Sequence, residues 1–250
     1  GLYQAAWTLG GLYVGFVLQA MGADFYPRLV GAANDHPRCN RLVNEQALVS
    51  LLLAGPGVVG TLTLASVVVV VFYSSMFEGA VETLRWICLG MALRVVTWPL
   101  GYVIVAKAEQ KLFVATEVAW AAGYVLLTWG LVHLFGFRGV GMAFFASYLV
   151  HLAIVYPIVA RLTGFRWSAD NLRAAALMLA AGGLVFCGFG VLRAPWALAF
   201  GLAVSLLLTA YSVRTLARLL PASSVPPVFR RILRMHAPAA NAPTAASPSP

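Results

Sequence analysis

The chain has 250 residues, of which 61% are hydrophobic and 10% charged, with a formal net charge of +9. A soluble domain is about 45–50% apolar and about 25% charged, so this composition excludes a water-solvated globule. Lipid as the solvent requires internally satisfied backbone, hence helices or a closed barrel, and continuous apolar runs in place of strict alternation exclude the barrel.

In chain order, the apolar runs predict seven membrane-crossing helices. They are Gly1 to Ala23, Ala47 to Tyr73 (with Pro56), Leu84 to Ala106 (with Pro99), Leu112 to Gly136, Val140 to Val159 (with Pro157), Leu172 to Val191 and Trp196 to Val213. Each is long enough, at 1.5 Å per residue, to cross or nearly cross a hydrocarbon core about 30 Å thick. Internal prolines are tolerated in lipid and mark expected kinks. The expected fold is an all-α, polytopic membrane bundle. Beyond it, residues 217–250 read as a basic segment (Arg218, Arg230, Arg231, Arg234) running into a Pro/Ala-rich, disordered tail.

Loop charges test this count. Thirteen of the seventeen Lys and Arg residues fall on one side: Arg28, Arg38 and Arg41, then Lys107 and Lys111, then Arg161, Arg166 and Arg173, then the five after the last span. Arg85, Arg138 and Arg193 fall on the other, and Arg94 lies within a span. The positive-inside rule then predicts that Gly1 faces outward and the tail lies in the cytoplasm. The chain begins at Gly1 directly in apolar sequence, with neither a start methionine nor a basic leader. The expectation is the C-terminal part of a longer protein.

Soluble-enzyme signatures are absent: there is no GxxxxGK[ST], HExxH or GxSxG sequence. Cys39, Cys88 and Cys187 are widely spaced and make no metal-ligand pattern, so they read as small apolar packing residues. No catalytic residue, metal or cofactor is expected, and the basic residues, grouped between spans, give no nucleic-acid signal.

Function must then rest on polar groups within the membrane. Arg94, near the middle of the third span, carries a charge that costs about 2.5–3.5 kcal/mol at mid-bilayer even on the mildest scale. It should face a cavity, where a guanidinium grips phosphate through two hydrogen bonds, or pair with Glu117. Glu117 is a candidate proton carrier or structural partner. His151, central in the fifth span, titrates near neutral pH or serves as a packing donor. Asp24, at the end of the first span, is a candidate ion-coupling group or a local pair for its neighbours. Gln4, Thr8, Gly11, Gly15, Gln19 and Gly22 share one face of the first helix. They read as a hydrated groove or as close packing through Gly11-x-x-x-Gly15. Trp86, Trp98, Tyr102, Trp120 and Tyr124 are interfacial anchors, packing residues or, within a cavity, stacking platforms for sugar rings.

Several of these segments resemble the bacterial O-antigen translocases, the polysaccharide flippases of the multidrug/oligosaccharidyl-lipid/polysaccharide exporter superfamily. The resemblance rests on Gly1 to Trp7 followed by Tyr26-Pro27-Arg28-Leu29, on Gly90 to Arg94 with Trp98-Pro99-Leu100, on Ala106 to Lys111 with Glu117, and on Gly139 to Ala143. It covers roughly Gly1 to Thr163; the last two spans match only in hydropathy. It implies a two-lobed exporter fold, with residues 1–163 as helices of the C-terminal lobe and 164–216 as an additional helix pair. The implied function is translocation of undecaprenyl-diphosphate-linked oligosaccharide from the inner to the outer leaflet of the bacterial cytoplasmic membrane by alternating access. The implied partners are that substrate, membrane lipids and the polysaccharide polymerase machinery. Arg94, with Lys107, Lys111, Gln4 and Gln19, would form a cationic substrate cavity. Glu117, His151 and Asp24 would be candidates for ion coupling. The alternatives are a drug/cation antiporter on the same fold, which would favour an acidic cavity, and a membrane polysaccharide polymerase or ligase, which would need a large outer loop.

Overall fold

A computed structural model describes residues 1–219, and these are all-helical. Eight α-helices occur among them: α1 (Leu2–Gly31), α2 (His36–Thr63), α3 (Ala65–Phe72), α4 (Val81–Ala106), α5 (Gln110–Phe135), α6 (Arg138–Thr163), α7 (Ala169–Val191) and α8 (Ala194–Leu219). A 3₁₀ turn over Ser75–Ala80 leads into α4. Seven of the helices, all but α3, are long and apolar enough to cross a membrane. The chain is therefore a multi-pass membrane helix bundle. The tail expected over 217–250 lies, from residue 220 onward, outside the described residues.

Helix ends follow local chemistry. Asp35 caps α2 by accepting the Arg38 N–H at 3.0 Å, with Pro37 in the first turn where no N–H is needed. Ser168 caps α7 by accepting the Asn171 N–H at 3.2 Å. Gly164, at φ +68°, ends α6 in the left-handed conformation that glycine adopts without a Cβ penalty. Several boundaries differ from the sequence expectation: α2 begins at His36, well before Ala47, so Arg38 and Arg41 are helical, and α8 runs past Val213 to Leu219. α1 continues through Pro27 to Gly31, so Tyr26-Pro27-Arg28 is helical and not a loop. The second span divides at Leu64 into α2 and the short α3.

The bundle centres on α4. It packs closely on α6, α1 and α2, and most of its side chains are buried. The α4–α6 seam is tight because small residues face it. A Cβ on Gly141 would meet the Thr83 carbonyl oxygen at 2.7 Å, and one on Gly90 would run into the Phe144 ring. Without a hydrophobic drive between helices in lipid, such close backbone approach is what van der Waals association requires. On α1 the close approach falls on Gly10, against Ile87 of α4. A Cβ on Gly11 would meet only the end of Met91, and one on Gly15 would stand in open space. α5 lies at the edge, with Thr116 its one fully buried residue and Val118, Val125, Leu126 and Trp129 outward-facing. A helix apolar on all sides is at home in acyl chains.

One polar staple joins the ends. Asn44 on α2 accepts from the Ser168 N–H at 2.8 Å and from Asn171 Nδ2 at 2.9 Å, and donates to the Arg166 carbonyl at 3.1 Å. Asn40 donates to the Thr163 carbonyl at 2.9 Å. The start of α7 and the connection before it are thereby fixed to α2, at the bundle end that carries Arg161 and Arg166 (the basic end).

Candidate functional site

α4 and α5 both pack along α6 but touch each other only sparsely. The wedge between them is a hollow of about 390 Å³. α4 contributes one face at steps of three and four residues: Arg94, Thr97 and Trp98, Gly101 and Tyr102, and Val105. α5 contributes Phe113, Glu117 and Trp120, and α6 contributes Tyr148 and His151. Val105 and Phe113 lie near the basic ends of their helices. Arg94 lies about 18 Å deeper, counted from the end of α4 at Ala106, which is mid-height in the bundle.

Arg94 is half-buried and, among the described residues, has no carboxylate within 4.0 Å. Glu117 faces the same hollow but approaches His151 instead, at 3.9 Å between Oε1 and Nε2, too long for a hydrogen bond. Both ring nitrogens of His151 and the Trp120 Nε1 are buried without a hydrogen-bond partner. Buried polar groups are ordinarily hydrogen-bonded, so these three atoms mark the polar part of the wall. Aromatic rings wall the space. Trp98 and Tyr102 pack with centroids 4.6 Å apart, and the Trp120 ring lies 5.7 Å from both Tyr148 and His151. Trp120 also stacks on Tyr124, outside the hollow, at 6.1 Å with an interplanar angle of 7°. One fixed cation, one carboxylate, one imidazole and several aromatic faces suit a ligand that combines an anionic group with rings or hydroxyls.

The structure thus brings together Arg94, Glu117 and His151 from the sequence-derived candidates. The others lie elsewhere. Lys107 follows the end of α4, and the exposed Lys111 lies on the outer face of α5. Gln4 is exposed and hydrogen-bonds Thr8 at 3.3 Å, and Gln19 is exposed on α1. Asp24 pairs with Arg28 at 3.0 Å on the surface of α1, the local pairing that its position suggested. Of the aromatics, Trp98, Tyr102 and Trp120 line the hollow, whereas Trp86 packs against Phe186. Tyr148 and Phe113 were not singled out by sequence. Tyr148 stands one turn before His151, so helical spacing from that histidine would have found it.

Among the described residues, no three His, Cys, Asp or Glu side chains gather as a metal site. No protein-family model matches the chain, and no curated protein or solved structure does either.

Proposed function

We propose that this chain is part of a flippase that moves an undecaprenyl-diphosphate-linked oligosaccharide across the bacterial cytoplasmic membrane, with no covalent step. The carrying observation is Arg94: a guanidinium at mid-height, free of any carboxylate within 4.0 Å among the described residues, opening on an aromatic-walled hollow. A diphosphate–sugar headgroup cannot cross hydrocarbon alone, because its charges and hydroxyls would lose their water. Arg94 replaces that hydration at the diphosphate through paired charge-assisted hydrogen bonds. Trp98, Tyr102 and Trp120 offer apolar faces to sugar rings, and the polyprenyl tail stays in lipid. The Glu117–His151 pair stands where a proton would be linked to the cycle. The segment resemblance over Gly1 to Thr163 supports the same reading, with α1 to α6 in the C-terminal lobe of a two-lobed exporter and α7 and α8 as the additional pair. Alternating access then follows from rocking of lobes.

Glu117 in the same hollow favours a second reading, a cation exporter on the same fold. Substitution in the host cell separates the two. On the flippase reading, Arg94→Ala at matched expression depletes surface polysaccharide and leaves undecaprenyl-linked repeat units in the inner leaflet. Unchanged surface polysaccharide removes Arg94 from the mechanism. Loss of drug or cation efflux on Glu117→Gln, with polysaccharide intact, establishes the exporter instead.

A further inference from the structure

Helices joined by a short connection ordinarily pack side by side as an antiparallel pair. α6 and α7 are joined by residues 164–168 and yet make almost no contact. The Asn44 staple explains this. It pins the start of α7 to α2, so α7 lies along α2 and α8 and leaves a gap beside α6. The gap is a slot of about 570 Å³, separate from the Arg94 hollow and walled on α4 by Leu93 and Val96 in place of Arg94, Thr97 and Trp98. Its walls are Leu51 of α2, Leu93 and Val96 of α4, Leu152 of α6, and Ala175 and Leu179 of α7.

Three features define what fits. The deep part offers carbon almost alone, so water would find no partners there, and a void of this size forfeits its packing contacts. The rim residues Ala153, Pro157 and Leu172 are exposed, so the slot opens sideways into the membrane. Its depth, from Asn171 at the lip to Leu179, is about 12 Å along α7, within one leaflet of a core about 30 Å thick. The lip is cationic. Arg166 adjoins the lining residue Trp167, and Arg161 stands one turn beyond Pro157. Both are exposed, and among the described residues neither has a carboxylate within 4.0 Å. Trp167 itself is an indole at the level where such rings meet headgroups.

We propose that this slot is a binding site for one acyl chain of an anionic glycerophospholipid from the leaflet at the basic end, its headgroup phosphate held by Arg161 and Arg166. The lipid is a structural wedge: it fills the gap that the Asn44 staple holds open and completes the packing between α6 and α7. The site lies apart from the Arg94 hollow and does not depend on the function assigned to it.

The test uses the full chain in nanodiscs of equal parts phosphatidylglycerol and phosphatidylcholine, released into mild detergent for native mass spectrometry. A single phosphatidylglycerol should stay bound. Ala175→Trp, which fills the slot, should lower retention about tenfold through the loss of roughly two buried methylenes. Ala153→Trp, at the exposed rim, should act in the same direction without touching the core, and it decides the matter if the first variant does not fold. Arg161→Gln with Arg166→Gln should erase the preference for phosphatidylglycerol over phosphatidylcholine. The proposal is overturned if the unaltered chain retains no lipid or if the folded tryptophan variants retain it equally. It is also overturned if polyprenyl phosphate added to the nanodiscs displaces phosphatidylglycerol, which would assign the slot to an isoprenoid.

Discussion

Replacing Asn44 by alanine removes the side chain that pins the α6–α7 connection to α2. The Ser168 N–H and the Arg166 carbonyl lose their partners at 2.8 and 3.1 Å, whereas Asn171 Nδ2 keeps the Asn44 backbone carbonyl at 2.8 Å and Ser168 Oγ at 3.0 Å. Two unreplaced bonds at about 1 kcal/mol each give about 2 kcal/mol. That corresponds to roughly a thirtyfold rise in local opening. Cys39 reports it, because it is fully buried in the cluster that contains Phe165 of the connection. In a Cys187→Ser background, which removes the exposed thiol, maleimide labelling of Cys39 should accelerate about thirtyfold in Asn44→Ala. Cys88, buried in α4 among the central core residues, should label no faster. Unchanged Cys39 labelling would refute the staple, and equal acceleration at Cys88 would show global rather than local opening.

Gly141→Ala drives a methyl against the Thr83 carbonyl and should cost about 1–3 kcal/mol, read as a lower thermal midpoint. Gly130→Ala, where a Cβ meets nothing within 4 Å, should leave the midpoint unchanged or raise it. Arg138→Gln breaks a 2.7 Å pair with Glu82 in which both side chains are substantially exposed, so the loss should stay within about 1 kcal/mol in denaturant titration. In purified protein, inorganic pyrophosphate should perturb tryptophan fluorescence through Trp98 and Trp120, and Arg94→Gln should weaken its binding roughly a hundredfold, two charge-assisted bonds being lost. Glu117→Gln should tighten pyrophosphate binding by removing a like charge from the hollow; weaker binding would place Glu117 in a supporting role.

The class, and the number of helices long and apolar enough to cross, were legible because lipid leaves the backbone no alternative, whereas the break at Leu64 was not. Each span must satisfy its own hydrogen bonds, so a run of apolar residues is itself the signal. Arg94 was legible for a related reason, since a mid-bilayer charge demands an explanation before any neighbour is known. The face of α1 carrying Gln4 and Gln19 was periodic and yet not part of the hollow, because periodicity defines a face without saying which helix, or what solvent, it meets. Lys111 likewise lies near Glu117 in sequence but on the outer side of α5. The Asn44 staple was not legible at all, because its partners are more than 120 residues away along the chain.

The residue pattern alone gave an all-helical membrane chain, with seven helices among the described residues long and apolar enough to cross, a strong charge bias between its two sides and one arginine out of place in hydrocarbon. Which helices touch was decided only in three dimensions. Gly90 and Gly141 let α4 and α6 approach closely, and α6 in turn holds α5 away from α4, so that Arg94, Glu117 and His151 from three helices face one space. Hydropathy is a property of each segment taken singly. Side-chain packing is a property of pairs, and in a bilayer, where every helix exterior is equally apolar, only the fit of small residues and a few hydrogen bonds selects among the pairs.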